Sequence, residues 1–277
     1  MASNTTSKAG PPRAGGNALH MPVLLEECVN LLGPALTAEA PVMIDATLGM
    51  GGHSFAFLER FANLTVVGID RDPEAIELAG ERLVPFGKRF VPVRATYDDV
   101  FDVAAEYGRA GRADAVLMDL GVSSLQLDDE DRGFSYSGDG PLDMRMDKTG
   151  GPTAADVLAS ADKAELTRIL REYGEERFAS RIAARILAVR AEEPIERTGQ
   201  LADIVRDAIP APARRTGGNP CKRTFQALRI AVNDELALLG RAIPRAIEAI
   251  AVGGRIAVES YQSLEDRIVK REMAKGA

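Results

Sequence analysis

Residues 42–54 read VMIDATLGMGGHS. An apolar run ends in a carboxylate, Asp45, and three glycines, Gly49, Gly51 and Gly52, follow within four positions. Glycine accepts positive φ and has no side chain, so a loop of this kind lets a ligand approach the backbone closely. A strand, a glycine loop and a helix starting at His53 form the first unit of an alternating α/β chain. Further strands are predicted at Leu64 to Asp70, Phe90 to Arg94, Ala115 to Asp119 and Arg255 to Glu259, with helices at His53 to Phe61, Pro73 to Leu83 and Glu235 to Ile250. Such alternation predicts a doubly wound, mostly parallel sheet covered by helices, whose ligands sit at the carboxyl ends of the strands.

The loop excludes one ligand class. A triphosphate loop needs Lys followed by Ser or Thr after its last glycine, and here His53 stands where the Lys should be, so there is no cation to meet a triphosphate. Asp70 lies 21 residues after Gly49 at the end of TVVGID, where a carboxylate can accept both hydroxyls of a ribose. That feature suits either a nicotinamide dinucleotide or S-adenosylmethionine. The early acid, placed to meet a zwitterionic amino acid group, and the lack of a later G-x-x-G for a pyrophosphate favour S-adenosylmethionine.

Between Asp119 and Arg255 the chain is far longer than one crossover helix requires. An inserted region is predicted there, and ADKAELTRILREYGEERFASRIAARILAVR, rich in helix formers and free of proline, makes it helical. Phe178, Ile182, Ile186 and Val189 form an apolar stripe, with Arg177, Arg181 and Arg185 beside it. Residues 1–18 are polar and rich in Gly and Pro, a composition that predicts a disordered tail. No apolar run is long enough for a membrane span, and the start lacks a signal-peptide core, so the expected location is cytoplasmic. Two cysteines and two histidines, none at ligand spacing, argue against a metal site. The net charge of −7 disfavours general nucleic-acid binding, yet residues 160–230 carry 14 Lys and Arg against 10 Asp and Glu. A local basic face around RRTGGNPCKR, residues 214–223, fits one defined RNA site.

DATLGMGGHS, GIDRDPEAI, LMDLGVSSLQLDDEDRGFSYSGDGPLDMRMD, YGEERFASRIA, NPCKRTFQALRIAVNDEL and SLEDRIVKR, in this order, resemble the ribosomal RNA small-subunit methyltransferase H (MraW) family from about His20 onward. The resemblance implies a class I, Rossmann-like methyltransferase domain formed by 19–127 and 224–277, with 128–223 as a helical RNA-recognition insertion. It implies methyl transfer from S-adenosylmethionine to the N4 amine of a cytidine in the decoding region of small-subunit rRNA, free or within the 30S particle. Carried over, the cofactor contacts fall on Gly51, Gly52, His53, Asp70, Tyr97, Asp119 and Gln126. In that setting Asp70 takes the ribose, Tyr97 offers a flat face to adenine, and His53 serves through its backbone N–H at a helix start. Many DNA amino-methyltransferases end the fourth strand with Asn or Asp, then Pro-Pro-aromatic; here that place reads DLGVSS, so Asp119 is the candidate acceptor for the amine, ahead of Ser123 and Ser124. GFSYSGDGPLDMRMD, residues 133–147, reads as an ordered active-site lid in which Asp143 and Arg145 form an ion pair or meet RNA.

Two departures stand out. Where many relatives read SFHSLEDR, this chain has Tyr261 and Gln262, so no histidine acts as base there. The sequence stops one helix after its fifth strand, which predicts a truncated or variant C-terminus with an uncovered strand edge, or a homodimer across that edge. A nicotinamide dehydrogenase and a non-catalytic RNA-binding module are the competing readings.

Overall fold

The computed structural model describes residues 22–214 and 218–275, so the predicted tail and Arg215 lie outside the described residues. The first half alternates as expected: α1 (Leu25–Leu32), β1 (Val42–Asp45), α2 (Gly52–Arg60), β2 (Thr65–Asp70), α3 (Pro73–Leu83), β3 (Phe90–Arg94), α4 (Val100–Tyr107) and β4 (Ala113–Asp119). A helical region follows, comprising α5 (Ser124–Asp128), α6 (Ala154–Ser160), α7 (Lys163–Glu172), α8 (Ala179–Arg190), α9 (Thr198–Ala208), α10 (Ala211–Arg214) and α11 (Lys222–Asn233). The chain then returns through α12 (Glu235–Ala249) to β5 (Ile250–Glu259) and α13 (Ser263–Lys275).

All the strand pairs are parallel and the order is β3-β2-β1-β4-β5. The chain reverses direction across the sheet between β1 and β4, and that switch point opens a crevice at the carboxyl ends. Successive residues of the central strands serve opposite faces. Ile44, Val67, Ile69, Val116 and Met118 pack with α4, α12 and α13, while Met43, Val66, Ala115 and Leu117 pack with α1, α2 and α3. Both faces are therefore apolar, as a buried parallel sheet requires.

A third core belongs to the helical region, with Leu166, Ile182, Ile186, Leu201, Val205, Phe225 and Leu228 at its centre. The stretch predicted as helical from Ala161 to Arg190 is two helices, not one. The break comes at Gly174, where a Cβ would stand 2.5 Å from the Arg223 carbonyl oxygen, and at Glu175, whose φ is 48°. Close approach of α11 thus decides where α7 ends. Arg177, Arg181 and Arg185 are exposed beside the buried stripe, and Arg185 lies 3.8 Å from Asp207.

β5 begins five residues before its predicted start. Its early part, AVGG, carries a register irregularity against β4 around Ala113 and Ala115, with Gly253 at φ 83°. Such a bulge bends a strand and disguises it as a turn in sequence. β5 is an edge of the sheet, and Val252 on it is fully exposed.

One buried ion pair joins the two regions. Arg132 is 1% exposed; it donates to Asp72, itself 2% exposed, to Glu74 at 3.0 Å and to the Met146 carbonyl at 2.9 Å. Asp72 also caps α3 and accepts from Gln126 at 3.3 Å. Removing one partner of a buried pair leaves the other charge uncompensated, so Arg132→Met should destabilise the protein by about 3–5 kcal/mol. The double variant Arg132→Met, Asp72→Asn should recover part of that loss, read from urea midpoints at constant m.

Candidate active site

Four strands end in carboxylates at the crevice: Asp45 on β1, Asp70 on β2, Asp119 on β4 and Glu259 on β5. Parallel pairing puts these ends side by side, with Asp45 in register with Leu117 and Asp119 in register with Glu259. Above them lies a cleft of about 610 Å³, within the usual range for a small-molecule site. Thr47, Gly49, His53, Asp70, Tyr97, Asp119, Gln126 and Tyr261 all line it.

The glycine loop is shaped by its first and second glycines. Gly49 and Gly51 have φ of 50° and 72°, and Gly51 is the cap residue just before α2. Gly52 has a different reason: a Cβ there would come within 2.9 Å of Pro22. The loop is tied to β2, because the Gly49 N–H donates to Asp70 Oδ2 at 2.8 Å, while the Asp72 N–H meets Oδ1 at 2.9 Å. Burial nevertheless raises Asp70 to about 6. Tyr97 also lines the cleft, and its hydroxyl donates to the Glu235 carbonyl at 2.9 Å, which fixes the ring.

Asp45 is placed otherwise than the sequence suggested. It is 1% exposed, beneath the loop, accepting from Ser54 Oγ at 2.7 Å and from the Thr47 N–H at 3.3 Å. It does not line the cleft and so cannot touch an amino acid group there; it acts as buried negative charge, and desolvation raises it. Gln126 lines the cleft, but its amide is engaged by Asp72 and the Ser123 N–H. Ser123 caps α5 through that same residue, accepting from the Gln126 N–H at 3.3 Å.

His53 does more than offer a backbone N–H. Its imidazole is buried, with Nε2 3.2 Å from Glu259 Oε1 and 3.7 Å from Asp119 Oδ2. Burial opposes the imidazolium, but Glu259, Asp45 and Asp119 outweigh it and raise His53. Asp119 faces the cleft and accepts from the Tyr261 hydroxyl at 2.8 Å; burial raises it to about 6, against the lowering effect of that hydrogen bond. Cys28 of α1 completes the cluster, its thiol donating to Glu259 Oε1 at 3.1 Å. Cys28, His53 and Glu259 offer a sulfur, a nitrogen and an oxygen within 4.8 Å of one another. A transition metal would need the thiolate, and burial with the adjacent Glu259 holds the thiol protonated, up to about 12.

Cys28, Glu259 and Tyr261 join the site without being marked as site residues by the sequence. The visible signal was Tyr261 itself, a hydroxyl where the resembling motif has phenylalanine. On the far side of the cleft, α11 contributes Lys222, Gln226 and Arg229, the last paired to Glu235 at 2.8 Å. The loop 133–147 is anchored at several points: Asp139 accepts from Arg197 at 2.8 Å, Asn233 donates to the Met144 carbonyl at 2.7 Å, and Asp143 and Arg145 form a two-pronged ion pair. Of that loop, Met146 reaches the cleft.

Residues 17–277 match the MraW methylase family. The chain belongs to that family. Among its relatives, the ribosomal RNA small subunit methyltransferase H of Beutenbergia cavernae is 63% identical over 266 residues, covering 96% of this chain and 80% of the relative. The protein of the same name from a Nocardioides species is 63% identical over 252 residues, covering 91% and 79%. A solved rRNA methylase from Streptococcus thermophilus overlaps 35% of this chain and 52% of its own, with 18% identity and a TM-score of 0.27. In this MraW chain the loop, strand-end acids and cleft just described fall inside the matched span. No helix among the described residues is long and apolar enough to cross a membrane.

Both cysteines are buried, and desolvation raises each thiol. Neither should react with a thiol reagent at pH 8 in the folded protein, whereas both should react within minutes in denaturant. Rapid labelling of Cys28 in the native state would contradict its hydrogen bond to Glu259.

Proposed function

We propose that this chain methylates the N4 amine of a cytidine in the decoding region of small-subunit rRNA, with S-adenosylmethionine as donor. The observation that carries the reading is the acidic floor of the cleft. Asp70 and Asp119 line it, with Asp45 and Glu259 buried behind them, and together they favour a sulfonium cation over the doubly anionic pyrophosphate of a dinucleotide. The residues also fit the donor by shape: a Cβ on Gly49 would stand 3.8 Å from Ser123 Cβ and narrow the cleft. When bound, S-adenosylmethionine supplies an electrophilic methyl group on sulfur.

In this reading Gly49 and Gly52 admit the methionine part, Gly51, which faces α3 and does not line the cleft, only turns the loop, Asp70 accepts the ribose hydroxyls, and Tyr97 flanks the adenine. Gln126 closes the wall, and His53 tempers the negative charge beneath. Asp119 holds the amine hydrogens. The N4 lone pair is delocalised into the cytosine ring, so an acceptor that fixes the amine in line with the methyl supplies much of the acceleration. A methyltransferase domain (19–127 with 224–277) carrying an RNA-recognition insertion (128–223) fits the separate helical core, except that Phe225 and Leu228 of α11 pack in that core, so the second boundary falls after α11 and not at 223. The substrate would be the rRNA or its 30S particle in the cytoplasm, and the exposed edge of β5 is where a second copy would pair.

Asp70→Ala should weaken S-adenosylmethionine binding by about 1.5–3 kcal/mol, the worth of charged acceptor bonds to two hydroxyls. The affinity should also fall as pH drops through about 6, because Asp70 takes up a proton there and loses acceptor strength. Calorimetry across pH 5–8 on folded wild type and variant checks both statements.

Neutralising Arg214, Arg215, Lys222 and Arg223 should leave that affinity intact. It should flatten log RNA affinity against log salt by roughly 1–3, since each single-strand phosphate that a cation no longer neutralises takes about 0.7 from the slope. Methylation should fall much more than cofactor binding, because the target base must be unstacked at a cost that RNA contacts offset. Unchanged slopes and full activity would return these residues to a solvated face.

A further inference from the structure

Tyr261 is held at both ends. Its backbone N–H donates to Glu265 Oε2 at 2.9 Å, the next side chain, Gln262, donates to Glu265 Oε1 at 2.9 Å, and the ring passes over Gly121, where a Cβ would lie 3.6 Å from Cδ2. This clamp sets the hydroxyl between two carboxylates, 2.8 Å from Asp119 Oδ1 and 3.4 Å from Glu259 Oε2. One O–H can serve one acceptor at a time, and the shorter contact goes to Asp119. Glu259 is already supplied by Cys28 and by His53 on its other oxygen. A phenylalanine at this place would leave Asp119 without a hydroxyl donor.

We propose that Tyr261 is a positioning residue for methyl transfer: its hydroxyl orients Asp119 and keeps it ionised as the amine acceptor, then turns to Glu259 once Asp119 is protonated. The inference rests on the N4 reading given above. The balance is complete within the named groups. A nitrogen–carbon bond forms from the N4 lone pair as the carbon–sulfur bond breaks with its electrons onto sulfur. The surplus proton then leaves N4 for the Asp119 carboxylate. Protonated Asp119 becomes a donor, and the hydroxyl can accept from it only if its own hydrogen points elsewhere. Glu259 Oε2 is the acceptor in reach.

The groups facing Asp119 come from every neighbouring element: Asp45 from β1, His53 from α2, Cys28 from α1 through Glu259, and Glu259 with Tyr261 from β5 and the turn after it. Tyr261→Phe removes the one hydroxyl donor among them and keeps the ring. Loss of a hydrogen bond to the charged form raises a carboxyl pKa, here by about one unit.

The test has two independent readouts on wild type and Tyr261→Phe, with Asp119→Asn for assignment. Carbon NMR of aspartate carboxyl groups follows Asp119 directly, and steady-state methylation of small-subunit RNA gives kcat against pH. The expected result is an Asp119 titration about one unit higher in Tyr261→Phe. The acid limb of kcat should move with it, kcat at pH 7 should fall about tenfold, and KM for S-adenosylmethionine should hold. An Asp119 titration that does not move in the folded variant overturns the proposal, whatever the activity. A titration that moves while wild type yields no N4-methylcytidine supports the coupling and overturns the N4 reading alone. Replacing Glu259 by Gln is the second variant: an unchanged kcat there removes Glu259 as the place to which the hydroxyl turns.

Discussion

Adjacent strands of a sheet lie roughly 4.8 Å apart, and in this protein β2, β1, β4 and β5 each end in a carboxylate. Two like charges at about 5 Å repel by roughly 3 kcal/mol at the effective dielectric of partly buried sites. Four such groups in a row would open the end of the sheet unless their charge were dispersed. The structure disperses it in three ways. Backbone N–H groups and hydroxyls cap Asp45, Asp70 and Asp119. His53 stands among Asp45, Asp119 and Glu259, whose charges raise it against the effect of its burial and so favour its protonated form there. Desolvation, with the mutual repulsion behind it, keeps Asp45, Asp70 and Asp119 raised, and Glu259 falls below its ordinary value because hydrogen bonds from His53 and Cys28 outweigh its burial.

The glycine loop depends on the same arrangement. Its conformation is set by Gly49 donating to Asp70, and its approach to α3 leaves no room for a Cβ on Gly51, which would meet Leu83 at 3.1 Å. An acid that anchors the loop therefore also faces the cleft. A floor that is negative and partly desolvated selects cations and hydrogen-bond donors, which describes a sulfonium, a ribose edge and an exocyclic amine together. It works against phosphate-bearing cofactors whatever the glycine spacing. Charge, more than loop shape, is what separates the ligand classes that G-x-G-G leaves open.

The strands β1 and β3 were legible to the residue because short apolar runs ended at Asp or Arg, and the helix α3 because its helical pattern opens at Pro73. Asp70, Asp119 and the glycine loop were legible for the same reason, each being a strand end or the turn after it. What stayed hidden were adjacencies with no local period. Cys28 and Glu259 are 231 residues apart and meet because α1 packs beside β5. Tyr261 reaches Asp119 only through the β4–β5 register, which starts behind a glycine bulge that looks like a loop. Asp45 was misjudged because a strand-terminal acid points to the crevice or beneath it depending on which side chain, here Ser54, turns to meet it. The break in the long helical stretch was equally invisible, since Gly174 is disallowed a side chain by Arg223, a residue on another helix.

The joint between the sheet and the helical region explains why these parts act as one site. Both crossings pass the start of α3. On the way out, Arg132 pairs with Asp72 and holds the Met146 carbonyl; on the way back, Asn233 holds the Met144 carbonyl and the Met146 N–H, while its own carbonyl accepts from Arg71 at 3.0 Å. Asn233 and Arg132 are both buried, so these bonds are made away from water and cannot be exchanged for it cheaply. The loop expected to act as a lid is thus pinned at Met144 and Met146 by two partners, one where the helical region begins and one at the end of α11. A hinge needs a few residues free to change φ and ψ, and this crossing has its polar groups committed instead. The wall that carries Lys222 and Arg229 is thus joined to the sheet through the same buried bonds. Whatever enters between that wall and the strand ends meets a cleft whose joints are already committed, so the freedom left for adjustment lies in the side chains that line it.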